Sequence, residues 1–379
     1  MLARRIARLA VVGGLGGFVL LACYWIFAAA VILPHSGAFS DFRVYYSAAW
    51  VGTHYGWSHI YDARLESLAP VPGLYPFANP PLVAWLAAPL TALPYAQGQL
   101  IWTILLGLLT VAAAWTVSQG GGAKSRLLGA GLVLATLPAV VTIAFGQSIA
   151  ICFAAVAAGQ LLEKRNHQVA AGVVFSLAFL KPQDVVLLPL QLLLARRFRT
   201  VVALAATGAV LLSLSVATLG PTGLWQWLGQ IQAAGQFSGM RQWNLESFLP
   251  PALAWAVRVS AVGLAAAVAH FTKRTDESLA AGVIASLLIS PYGSPADLIL
   301  VVYFVAQMLV RPDSIVPRSA PFMVIGGAAW LVISTMTTTR GLVPTVEFVL
   351  LLALFVASTR RETRAYADAQ LQPARGPTR

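Results

Sequence analysis

The sequence predicts an all-α polytopic membrane protein of about twelve (11–13) transmembrane helices, and three observations carry that expectation. Hydrophobic residues make up 58% of the 379 positions and charged residues only 10%, a balance that cannot be closed into a water-soluble globule. Apolar runs of about 17 to 25 residues, each able to cross roughly 30 Å of hydrocarbon as a helix, recur from Leu9 to Ala357. The Lys and Arg residues sit in short clusters between alternate runs rather than along one face. The formal charge of +12 is therefore a topology signal, and no nucleic-acid partner is expected.

In chain order the apolar segments fall at about 9–33, 97–118, 127–144, 148–162, 168–180, 184–195, 200–219, 250–271, 278–290, 296–310, 321–336 and 344–358. The first follows Arg4, Arg5 and Arg8 like the core of a signal peptide, but it is longer than a cleaved one and reads as a retained span. Segments 168–180 and 184–195 are short and meet at Lys181, Pro182 and Gln183, which reads as a helix broken near a cavity. The stretch from Pro81 to Leu93 reads as a re-entrant or interfacial piece. Residues 1–379 thus form one membrane domain with structured outer loops at 34–80 and 220–249 and a disordered cytoplasmic tail at 359–379. Cys23 and Cys152 both lie in apolar runs and imply no disulfide framework.

One set of connections holds nineteen of the 25 cationic residues. They are Arg4, Arg5, Arg8, Lys124, Arg126, Lys164, Arg165, Arg196, Arg197, Arg199, Lys273, Arg274, Arg311, Arg318, Arg360, Arg361, Arg364, Arg375 and Arg379. The opposite connections hold Arg43, Arg64, Lys181, Arg241 and Arg340, and Arg258 falls inside a span. By the positive-inside rule both termini are expected in the cytoplasm.

The residues suited to chemistry gather on the other, outer side. Asp41 opens a stretch in which Phe42, Tyr45, Tyr46 and Ala49 follow the spacing of an amphipathic helix. A shielded carboxylate there could take a proton from an attacking hydroxyl, or simply cap the helix. Asp62 stands one turn from Glu66, and the aromatic side chains of both outer loops suit either sugar stacking or an interfacial belt. Gln147 in the polar break Phe145-Gly146-Gln147 could bind a sugar hydroxyl or satisfy helix-end backbone groups. Lys181, followed by Gln183 and Asp184, could neutralise a phosphate as a point charge, pair with Asp184, or reach for lipid headgroups. Arg258, about eight residues into its span, requires a phosphate or carboxylate partner. Asn244 and Glu246 with Arg241, and Tyr292 with Asp297, add polar groups suited to carbohydrate contact or to ordering their loops. His35, His54 and His59 are too irregularly spaced for zinc, so no metal site and no cofactor are expected.

The order of these features resembles one known family. Asp41-Phe-Arg-Val-Tyr-Tyr-Ser-Ala-Ala, then Tyr61-Asp62, Pro80-Pro81-Leu82 with Pro89-Leu90, Gly146-Gln147, Lys181-Pro182-Gln183, and Ser290-Pro291-Tyr292 with Asp297 are similar to the bacterial polyprenyl-phosphate-mannose-dependent mannosyltransferases. These form glycosyltransferase family 87 of the glycosyltransferase-C superfamily. The likeness covers about residues 35 to 300, with a departure at Asn79, where many members carry Tyr before the two prolines. The resemblance implies a glycosyltransferase-C-like fold in a bacterial cytoplasmic membrane and a polyprenyl-phosphate-linked sugar donor. It also implies a glycolipid or glycan acceptor, an active site on the periplasmic or exterior face, inversion at the anomeric carbon, and Asp41 as the base. Two other readings are a transporter or lipid flippase, which predicts polar groups at the membrane midplane, and a non-catalytic partner in envelope-polysaccharide assembly.

Overall fold

A computed structural model describes residues 41–73, 76–118, 122–236, 245–247, 249–272, 274–291, 293–310 and 342–371. The spans expected at 9–33 and 321–336 lie outside the described residues, as do Arg241, Asn244 and Tyr292. Among the described residues the architecture is helical throughout.

The chain runs through α1 (Asp41–Tyr55), α2 (Ala63–Glu66), α3 (Pro81–Ala87), α4 (Tyr95–Trp115), α5 (Ala123–Leu134), α6 (Leu137–Ala144), α7 (Ile149–Lys164) and α8 (Gln168–Ser176). It continues through α9 (Pro182–Val185), α10 (Leu188–Leu194), α11 (Phe198–Gln236), α12 (Pro251–Phe271), α13 (Thr275–Ile289), α14 (Ile299–Val310) and α15 (Leu342–Leu371). Short 3-10 turns cover Trp57–His59, Ala88–Ala92, Leu177–Leu180, Leu245–Ser247 and Pro295–Leu298.

Among the described residues, α4, α11 and α12 are long and apolar enough to cross a membrane alone, and α5 with α6 makes a fourth crossing if the pair, bent by 67°, is one span. Among the described residues, proline and polar breaks cut the remaining apolar sequence into shorter helices, so length and composition do not by themselves establish the expected dozen. Pro81–Ala92 is one of these; at 1.5 Å per residue it rises about 18 Å, well short of the hydrocarbon thickness. It packs against α1 on the cavity side. The last helix runs on to Leu371, past the start of the expected tail, through a sequence rich in Ala and Arg that favours helix.

Two features set the packing. Gly172 of α8 lets α11 approach so closely that a Cβ there would lie 2.3 Å from the Thr200 carbonyl oxygen, the small-residue contact that membrane helices use to bury backbone against backbone. Within α11, Gly220 takes φ 61° and ψ −177° immediately before Pro221, so the helix breaks there instead of continuing straight. What the sequence suggested as an outer loop from residue 220 is, up to Gln236, a second helical arm that folds over the site described below.

The end of the bundle remote from that arm is fastened by charge. Glu163 at the end of α7 accepts from Thr200 and pairs with Arg197 at 3.5 Å. Arg197 also donates to Thr275 Oγ1 at 3.0 Å. Lys164 meets Asp276 at 3.9 Å, and Arg274 meets Asp276 and Glu277 at 3.5 and 3.3 Å. Three helix ends, those of α7, α11 and α13, are held together there.

Candidate active site

The site is built around the turn that joins α6 to α7. Gly146 adopts φ 68°, a left-handed conformation that side chains disfavour. A Cβ there would also meet Phe42 Cβ and Trp102 Cδ1 at 3.2 Å each. The turn is clamped from both sides: the Asp41 backbone N–H donates to the Phe145 carbonyl at 2.8 Å, and the Trp102 indole N–H donates to the Gly146 carbonyl at 2.9 Å. Phe42 stacks on Trp102 with centroids 5.4 Å apart. The start of α1 and the start of α7 are thereby locked together, and Asp41 and Gln147 face one cavity of ≈ 200 Å³.

Lys181 reaches the same cavity from the break between the Leu177–Leu180 turn and α9. Its ammonium forms an ion pair with Asp297 and donates to Gln147 Oε1 at 3.2 Å, so two of its three N–H donors are taken. Asp297 is held by a capping box: its Oδ2 accepts the Ser294 N–H at 2.8 Å while Ser294 Oγ accepts the Ala296 N–H at 3.2 Å. The Asp41 carboxyl receives no hydrogen bond among the described residues and caps none of its own helix's N–H groups. Burial pushes its pKa up to about 7, Lys181 draws it down and Asp297 adds to the rise.

Ser148 ties the wall of the cavity together. Its hydroxyl accepts from Tyr45 OH at 3.3 Å and from Asn79 Nδ2 at 3.2 Å. The second arm of α11 supplies the roof: Trp227 Nε1 donates to the Ala78 carbonyl at 3.0 Å and Gln230 Nε2 to the Tyr61 carbonyl at 3.1 Å. Tyr61 is sandwiched between Phe77 and Trp227, with centroids at 5.2 and 6.0 Å. Ile231, Ala234 and Leu180 make an apolar flank opposite the charged floor.

Of the residues singled out from sequence, Asp41, Tyr45, Gln147, Lys181, Gln183 and Asp297 line this cavity. Tyr46 does not; its hydroxyl donates to the Leu93 carbonyl at 3.0 Å and its ring packs on Tyr95. Asp62 caps α2 by accepting the Arg64 N–H at 2.9 Å. Arg258 pairs with Glu246 at 2.7 Å and lies 5.8 Å from the Trp255 ring, so its partner is a carboxylate outside the cavity. Lys181, in turn, pairs with Asp297 and not with Asp184. Sequence reasoning passed over Ser148, noted Asn79 only as a departure from the family pattern, and counted Trp227 only among the aromatic side chains of the second outer loop. It also passed over Glu347, buried in α15, although a carboxylate inside an apolar run is a signal in itself.

The family model of glycosyltransferase family 87 matches residues 77–291, more than half of the chain. The chain belongs to glycosyltransferase family 87. No curated protein and no solved structure matches it. Membership makes the chain a membrane glycosyltransferase. The match spans Asn79, Gln147, Lys181, Gln183 and Trp227, whereas Asp41 and Asp297 reach the same cavity from either side of it. In this family 87 member the charged floor is therefore assembled from three distant parts of the chain.

Proposed function

We infer that the chain transfers a hexose, mannose by family precedent, from a polyprenyl-phosphate-linked donor to a glycolipid or glycan of the cell envelope. The reaction takes place on the outer side of the cytoplasmic membrane, with inversion. The observation that carries this reading is that a carboxylate without a hydrogen-bond partner among the described residues, Asp41, and a cation with a spare donor, Lys181, face one cavity with an apolar flank.

The chemistry follows from those two groups. The acceptor oxygen attacks the anomeric carbon, the bond from that carbon to the phosphate oxygen breaks, and Asp41 takes the acceptor's proton as the new glycosidic bond forms. A carboxyl poised near neutrality is matched to that task, since it is ionised when free and still basic enough to receive a proton. The departing lipid phosphate gains negative charge, which Lys181 stabilises; Gln147 and Asp297 hold the ammonium in place. Gln183, Tyr45 and Asn79 are placed for sugar hydroxyls. The phosphate is already a leaving group, so no nucleotide-binding module is needed. Ile231, Ala234 and Leu180 suit the first prenyl unit of a donor arriving sideways from the bilayer.

The test is sugar transfer from polyprenyl-phosphate-mannose by the purified protein in lipid, comparing wild type with Asp41→Asn. Transfer that is lost in a variant with an unchanged melting temperature supports Asp41 as the base. A wild type inactive across a panel of lipid-linked sugars and acceptors overturns the reading.

A further inference from the structure

Asp184 has no place in that chemistry, yet it is the least satisfied polar side chain near the site. It is fully buried, and neither carboxyl oxygen receives a hydrogen bond from any described donor. It lies against Asp297, whose two oxygens are already committed to Lys181 and to the Ser294 N–H. Two ionised carboxylates in contact inside protein repel, and a buried carboxylate without donors is costly. A single proton relieves both problems. As a carboxylic acid, Asp184 donates to Asp297 and no longer needs a donor itself, while Asp297 stays the ionised acceptor that Lys181 and Ser294 require.

The other titratable groups facing Asp184 do not supply that donor. Lys181 is spent on Asp297 and Gln147. Cys152 of α7 is a buried free thiol, and Glu347 of α15 brings a further acid. The acids of α13, which packs along α9, lie at its far end in the charged cluster.

We propose that Asp184 and Asp297 share one bound proton, and that this acid–carboxylate pair, balanced by the single charge of Lys181, is what admits a phosphate monoanion to the cavity. Without the proton the floor carries one more negative charge than Lys181 offsets, before Asp41 is counted. The second clause rests on the donor reading above; the first does not.

Infrared spectroscopy of the protein in lipid nanodiscs separates the two. The carboxylic-acid C=O stretch stands clear of carboxylate bands. At pH 8, about one unit above the Asp41 midpoint, wild type is expected to show a component of it that belongs to aspartate and Asp184→Asn to lack that component, while Asp41→Asn and Glu347→Gln keep it. Side-chain 13C-labelled aspartate should shift the band in wild type, which answers the question even if Asp184→Asn does not fold. No acid band in wild type, a band that ignores the aspartate label, or a band lost only in Glu347→Gln overturns the shared proton. Binding of farnesyl-phosphoryl-mannose, a phosphodiester of constant charge, is then followed against pH. Affinity is expected to fall at least tenfold across the pH range in which the band disappears, and to lose that step in Asp184→Asn. A labelled band without any phosphodiester binding leaves the pair standing and removes the donor reading.

Discussion

The indole N–H of Trp102 donates to the Gly146 carbonyl oxygen at 2.9 Å, fixing a membrane-crossing helix to the turn that presents Gln147 to the cavity. Trp102→Phe keeps the stacking on Phe42 but leaves that buried carbonyl without its donor, at a cost of about 1–3 kcal/mol. Gly146→Ala adds a left-handed strain of about 1–2 kcal/mol to the two tight Cβ contacts. Both variants are expected to lower the melting temperature and to reduce kcat more than they raise KM, because the turn also anchors the Asp41 backbone. Steady-state kinetics beside thermal melts check this.

Asp41 sets the pH dependence. The ionised form is the base, so kcat/KM should rise tenfold per pH unit below about 7 and level off above it. The stability sign is opposite. A carboxyl whose folded pKa lies above its unfolded value binds more protons when folded, so its contribution to stability falls as pH rises from about 4 towards about 7. Asp41→Asn removes that loss: it should melt no lower than wild type at pH 5 and higher at pH 8, while transferring no sugar. A lower melting temperature for Asp41→Asn at pH 8 would count against a desolvated carboxylate that finds no partner among the described residues.

The Lys181–Asp297 pair should behave as a coupled unit. Lys181→Met leaves Asp297 buried without its cation and is expected to cost about 3–5 kcal/mol. Asp297→Asn added to it should recover much of that loss, a non-additivity that a double-mutant cycle measures directly. Activity is not expected to return with stability, since the double variant has no cation for the leaving phosphate.

Arg258 lies outside the cavity and pairs with the partly exposed Glu246. An ion pair of this kind contributes less than about 1 kcal/mol. Arg258→Gln should therefore leave kcat and KM close to wild type, whereas Trp227→Ala, which opens the roof, should raise KM severalfold. A large loss of transfer in Arg258→Gln would place the donor phosphate elsewhere.

Much of the site was legible because a charge in an apolar sequence is conspicuous. Asp41, Lys181 and Asp297 each stand at the edge of an apolar run, and folding brings all three to one cavity with Gln147 and Gln183. The same reasoning did not separate Tyr46, Asp62 and Arg258 from them, since a packed aromatic ring, a helix cap and an ion pair outside the cavity look in sequence like groups that line it. Ser148 carried no trace at all, and Asn79 only that of a departure from the family pattern; their part depends on Tyr45 and on a turn distant in sequence. The class of fold followed from composition, but which apolar stretches of the described residues form a full crossing did not. Where helices break at Gly220–Pro221 or bend between α5 and α6, an apolar stretch stops corresponding to one span. The roof that Trp227 forms over the cavity comes from the first of those breaks.

The ion pairs of Glu163, Lys164, Arg197, Arg274 and Asp276 fasten the bundle at the end away from the cavity, while the arm over the cavity is held by neutral hydrogen bonds and stacked rings. The molecule is built like a purse, stitched at its base and closed at its mouth by a clasp. Added salt should loosen the stitching and leave the clasp alone. A long lipid chain can then come and go at the mouth without the base having to yield.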